Sequence, residues 1–102
     1  MALVNISAVL RLTMQKLRKT EILSGIGLSS YKRNRKILIF KKSPKWYILK
    51  EQGYRNEEKI LAAECLEKAL GDGIKREFPR SRKIRMYVLT DALDLGKAYK
   101  KL

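Results

Sequence analysis

A chain with no histidine and one cysteine has a short menu for acid–base or nucleophilic work: carboxylates, lysines, tyrosines and a single thiol. Asp91 and Asp94 resemble a carboxylate pair for two metal ions. Three residues apart at the start of a helical pattern, they serve more simply as an N-cap and a first-turn charge. Cys65 falls on the apolar stripe of a predicted helix with Glu64 and Glu67 beside it. That is the opposite of the electropositive setting that activates a thiolate, so a buried structural residue is expected. One Cys without His leaves no zinc set and no internal disulfide. Glu77, close to Lys75, Arg76 and Arg80, is expected to be a cross-strand ion partner. The units Gly25-Ile26-Gly27 and Gly71-Asp72-Gly73 lack P-loop or dinucleotide form and read as helix stops with small turns. The chain is therefore expected to be a non-enzyme, with no catalytic residue, metal or cofactor.

The chemistry that the sequence does favour is attraction of anions. Net charge is +14, and it is segregated. Residues 29–50 hold eight basic side chains and no acid, residues 75–85 hold six against Glu77, and residues 51–74 are net acidic. Such a field favours phosphate backbones or acidic protein surfaces and speeds encounter without specifying which. Aromatic residues accompany the basic segments: Tyr31, Phe40, Trp46, Tyr47, Phe78 and Tyr87. Trp46 and Tyr47 are adjacent in a strand-like run and must face opposite ways, so one of them is expected to face solvent or a partner. An exposed aromatic beside Arg and Lys stacks a base or anchors a peptide. The candidate partner-binding residues are Arg33, Arg35, Lys36, Trp46, Tyr47, Arg80, Arg82, Lys83 and Tyr87.

These residues need elements to position them. Ile6, Val9, Leu10, Met14 and Leu17 recur at three-to-four-residue spacing and predict an amphipathic helix over 5–19, with Asn5 as N-cap. Residues 36–41 and 45–50 are short apolar runs joined by Lys42-Ser43-Pro44, a predicted hairpin. Both are continuously apolar, so at least one strand should be covered on both faces. A second helix is expected from Glu57 to Leu70, capped by Asn56 and ended by Gly71. Strands are expected at 74–78 and, more strongly, at 83–89, followed by a short helix capped by Asp91 and bearing Leu95, Ala98 and Leu102. Short turns between strands make antiparallel pairing the default, and the fold class is α+β.

Arg33-Asn34-Arg35-Lys36-Ile37 and Arg80-Ser81-Arg82-Lys83-Ile84 lie 47 positions apart, and each follows a Gly-x-Gly. Upstream of each lies a helical pattern and downstream a β-like run, which suggests an internal structural repeat of two similar helix/β-hairpin motifs. A length of 102 residues suits one domain, 1–102, with motif one at about 5–53 and motif two at about 54–102. Two copies packed about an approximate dyad would leave a groove between them.

The segment Gly73-Ile74-Lys75-Arg76-Glu77, then Arg85-Met86-Tyr87-Val88-Leu89-Thr90-Asp91 and an amphipathic tail, resembles the wing and closing helix of winged-helix domains. The resemblance covers residues 73–102 and implies DNA binding. Few Asn and Gln residues, no His and abundant Lys, Arg and Glu match hyperthermophile composition. In length and composition the chain resembles uncharacterised small proteins of the filamentous viruses of Acidianus, the archaeal lipothrixviruses, which implies a viral protein acting in its host's cytoplasm. No stretch approaches the ~18 apolar residues needed to cross a bilayer, and nothing basic precedes the first apolar run as in a secretory signal. An intracellular protein without membrane association is expected.

Two functions compete. One is a non-enzymatic interaction module that takes a protein or extended peptide segment by main-chain pairing in the groove between the motifs. The other is sequence-independent binding of DNA or RNA through the basic strands.

Overall fold

Among the described residues of the computed structural model, eight elements follow one another: β1 (Ala2–Asn5), α1 (Ile6–Arg18), β2 (Gly25–Ser29), β3 (Lys36–Lys41), β4 (Trp46–Gln52), β5 (Glu57–Ala62), α2 (Ala63–Glu77) and β6 (Lys83–Leu89). The structure describes residues 2–30, 35–53 and 56–89. The strands form one sheet in the order β1-β6-β2-β3-β4-β5, with every neighbouring pair antiparallel. The class is α+β, as expected.

α1 forms where the apolar spacing predicts it. Val9, Thr13 and Leu17, four residues apart, are buried on one stripe, and Lys16 and Arg18 in the last turn suit the negative end of the helix dipole. Asn5 occupies the N-cap in an extended conformation, but its side chain makes no capping bond. The helix start is tied instead through its backbone, the Ile6 N–H donating to the Arg82 carbonyl at 2.8 Å.

The second helix differs from expectation at both ends. Residues 57–62 are a strand and the helix runs from Ala63 to Glu77. Pairing decides the first difference. Tyr47 opposes Leu61, Ile48 opposes Ile60 and Leu49 opposes Lys59, and those ladder bonds outweigh a helical pattern that caps alone cannot enforce. Packing decides the second. Leu66, Leu70, Gly73, Ile74 and Glu77 are buried along one stripe, which carries the helix through Gly71 and Gly73 despite a cost of ~1 kcal/mol per glycine relative to alanine. The strand expected at 74–78 is thereby absorbed into α2 as far as Glu77, and Glu77 is a helical rather than a cross-strand residue. Residues 73–77, the start of the winged-helix resemblance, are likewise helical and form no wing. Cys65 lies off the buried stripe and is exposed, contrary to the expected structural role.

β1 and β2 carry no signal that the sequence patterns caught. β2 includes Gly25-Ile26-Gly27, read above as a helix stop, yet all five of its residues are buried between β6 and β3. The glycines are required by close approach. A Cβ on Gly25 would lie 1.9 Å from the Ile39 carbonyl oxygen, and one on Gly27 would lie 2.3 Å from the Tyr87 ring.

The core lies between the sheet and the helices. Ile26, Leu28, Ile37, Ile39, Leu49, Ile84 and Met86 meet Val9 and Leu17 of α1 and Leu66, Leu70 and Ile74 of α2. Each fully buried aliphatic side chain contributes about 1.5–3 kcal/mol of transfer free energy. Both helices pack on this face and against each other, leaving the opposite face of the sheet without a helix among the described residues.

The two basic copies sit in one sheet but in different settings. β3 follows β2 along the chain, whereas β6 is reached through α2. Both flank β2 and run in the same direction, so their relation across β2 is not the expected dyad of motifs. Lys36 opposes Ser29, while its counterpart Lys83 opposes Asn5, and it is Arg85 that meets Ser29. The predicted hairpin is present as β3 and β4, within one continuous sheet. The helix expected from Asp91 lies outside the described residues.

Candidate functional site

Strand alternation sorts the side chains of β4 cleanly. Tyr47, Leu49 and Glu51 are buried toward the helices, while Trp46, Ile48 and Lys50 point to the other face. Following the register across the sheet assembles that outer face row by row. One row runs Leu3, Arg85, Ser29, Lys36, Gln52, and the next runs Tyr87, Gly27, Leu38, Lys50, Glu58. The third runs Leu89, Gly25, Phe40, Ile48, Ile60, and Trp46 beside Ala62 ends the face.

Each row has its own chemistry. The first is cationic, with Lys36 and Arg85 on either side of Ser29 and Lys83 at the start of β6 on the same face. In the second, the Tyr87 ring lies over the bare backbone of Gly27, as an aromatic laid across a strand glycine does. Lys50 is set opposite Glu58, the one acid on this face among the described residues. The third row is apolar. Phe40 and Leu89, on either side of Gly25, are buried, whereas Ile60 is 54 % exposed. Trp46 is 49 % exposed and borders a shallow cleft of about 370 Å³ with Lys42, Ser43 and Ile60.

The turn that presents Trp46 is held by its own backbone. The Lys42 and Ser43 N–H groups donate to the Trp46 carbonyl at 2.9 and 3.1 Å, and the Trp46 N–H donates back to Ser43 at 3.3 Å. At the far end of β4 the chain turns at Gly53, whose φ of +155° suits only glycine and whose Cβ would meet Glu77 Oε1 at 2.6 Å. Glu77 is 1 % exposed.

The candidate residues separate on this framework. Lys36, Trp46, Lys83 and Tyr87 lie on the outer face, and Arg80 and Arg82 are exposed in the connection from α2 to β6. Tyr47 faces the helices and is buried, so of the Trp46–Tyr47 pair it is Trp46 that meets solvent. Burial pushes the Tyr47 phenol above its usual range, with the Arg18 charge pulling the other way. Arg35 is half-buried and its Nη1 donates to the Glu77 carbonyl at 3.2 Å, a structural use. Arg33 lies outside the described residues. Leu38, Ile48, Lys50, Ile60 and Arg85 complete the face and were not singled out from sequence, since only the register shows that they share a surface with Tyr87 and Trp46.

Another concavity lies between the helices. Ile6, Leu10, Ile74, Phe78 and Pro79, with Ser7 and Lys75 at its edge, line a groove of about 530 Å³. Among the described residues no group of three or more His, Cys, Asp or Glu side chains could hold a metal ion, and no helix is long and apolar enough to cross a membrane. Comparison with protein-family models, curated proteins and solved structures finds no match. The site must therefore be argued from its own chemistry: a cationic sheet face that carries no helix among the described residues, with two partly open aromatic rings.

Proposed function

We propose that the protein is a non-enzymatic nucleic-acid-binding module that uses the outer face of its sheet and does not depend on base sequence. The observation that carries this reading is the cationic row of Lys36 and Arg85 next to the row that holds Tyr87, with Lys83 on the same face and a net charge of +14 behind them. Lysine and arginine side chains neutralise phosphates and release counterions, which yields affinity without sequence choice. The exposed Arg80 and Arg82 extend the cationic edge toward the α2–β6 connection.

A fluorescence-anisotropy titration against salt tests it. Neutralising ~6 phosphates gives a log–log slope of about −5 on duplex DNA and about −4 on a single strand. Alanine at Lys36, Arg80, Arg82 and Lys83 together weakens binding to every sequence alike and flattens the slope. Absence of binding at ~50 mM salt would end the proposal.

A second reading rests on a different observation. β5 is an edge strand whose exposed Ile60 borders the Trp46 cleft, so an extended peptide could add to it by main-chain pairing, its side chains entering that cleft. Peptide binding that persists at ~0.5 M salt would favour this reading, because main-chain and apolar contacts are little screened.

A further inference from the structure

We infer that the outer face takes a single strand of nucleic acid, with Tyr87 and Trp46 as two stacking stations. This rests on the nucleic-acid reading above and names its substrate class. A duplex conceals its bases and is read by an element that enters a groove, whereas the described part of this face consists of strands side by side, which meet a duplex along its phosphates. An unpaired strand offers base faces as well as phosphates, and this face offers a partner for each.

The rings are placed for that division. The Tyr87 ring lies over Gly27 on the outer face, and Tyr87 is only partly buried there. Trp46, half exposed, sits at the cleft with Ile60 and has Lys42 beside it for a phosphate. From Tyr87 the row crosses Gly27 and Leu38 to Lys50, three inter-strand steps of ~4.8 Å, and Trp46 lies four residues further along β4 at ~3.3 Å each. The stations are thus about 20 Å apart, with the apolar surface of Leu38 and Ile48 between them. That span suits the lower part of the ~4–16 nucleotides that single-strand-binding domains engage. Lys36 and Arg85 flank the path at one end and Lys42 at the other, so the cationic groups border the aromatic track.

The chain contains one tryptophan, so its intrinsic emission reports on Trp46 alone. The test titrates the full-length protein with an oligothymidylate of about twelve nucleotides and, separately, with a duplex of the same length, following both emission and anisotropy. The expected result is quenching of Trp46 by the single strand and affinity about ten-fold above that for the duplex. Trp46→Ala and Tyr87→Leu each lower single-strand affinity by about ten-fold or more, the worth of one stacked base, and Trp46→Phe recovers part of the loss. Circular dichroism melts confirm that the variants fold. Equal affinity for the two forms with unchanged emission would overturn the single-strand inference while leaving nucleic-acid binding in place. No binding of either form at low salt would overturn both.

Discussion

Arg76 grips Glu51 at two points between α2 and β4, its Nε donating to Oε2 at 3.1 Å and its Nη2 to Oε1. The Glu51 side chain is only 3 % exposed, against 22 % for Arg76, so the carboxylate has given up hydration and depends on this fork. The hydrogen bonds in turn push the guanidinium still further above its usual range. Arg76→Leu leaves a buried charge uncompensated and is expected to destabilise the fold by about 3 kcal/mol, the lower end of the usual cost because Arg76 is partly solvated. The double variant Glu51→Leu with Arg76→Leu should recover much of that loss. Urea denaturation of the four proteins in the cycle measures both numbers, and a double variant no better than Arg76→Leu would contradict the account.

Gly25 and Gly27 give a graded test of the sheet. In Gly25→Ala the new methyl meets the Ile39 backbone oxygen at 1.9 Å, which cannot move without breaking the β2–β3 ladder. A loss of more than about 3 kcal/mol is expected. In Gly27→Ala the obstacle is the far end of the Tyr87 ring, which can swing away, so about 1 kcal/mol is expected. Thermal melts distinguish the two, and single-strand affinity should fall in Gly27→Ala as the ring leaves its seat.

Thr13 offers a stabilising change. It is fully buried on the inner stripe of α1, and its Oγ1 has no hydrogen-bond partner among the described residues. A buried hydroxyl without a partner costs about 1–3 kcal/mol. Thr13→Val keeps the shape and removes the polar atom, so stability should rise by about 1 kcal/mol, or roughly 4–8 °C in Tm for a domain of this size. A lower Tm would mean that the hydroxyl is satisfied.

Tyr47 sets an alkaline limit. Burial raises its phenol above the unfolded value of 10.0, so the folded state keeps the proton longer than the unfolded chain does. Its contribution is present in full below pH 10.0 and is lost as pH climbs through the higher folded value. Tyr47→Phe should therefore lose less stability than the parent above that pH while differing little in slope below it. Urea midpoints measured at intervals from neutral to strongly alkaline pH check the sign. Parallel curves for the two proteins would remove Tyr47 as the cause.

The local patterns that were legible are those where one element makes its own case. α1 announces itself through Ile6, Val9, Leu10, Met14 and Leu17 at helical spacing, and β3, β4 and β6 through short apolar runs bounded by basic and turn residues. Segregated charge and the opposite orientations of Trp46 and Tyr47 were equally readable, because they depend on composition and on the two-residue period of a strand. The repeat of Arg-x-Arg-Lys-Ile was legible as letters and misleading as architecture. Lys36 and Lys83 occupy different rows, since pairing partners and not sequence echoes set register.

What the chain order alone could settle was thus the α+β class, four of the eight elements among the described residues in near-final form, and a cationic surface. Only the tertiary structure decided that residues 57–62 pair as an edge strand, that α2 runs through two glycines, and that Gly25-Ile26-Gly27 forms a central strand. It also decided that Arg85, Tyr87, Lys36 and Trp46 share one face while Tyr47 and Arg35 leave it. The physical reason is that glycine carries no side-chain signal, so its place depends on what approaches it: the Ile39 carbonyl at Gly25, the Tyr87 ring at Gly27 and the Glu51 carboxylate at Gly73. Those neighbours lie at least twelve residues away in sequence, and folding alone brings them together.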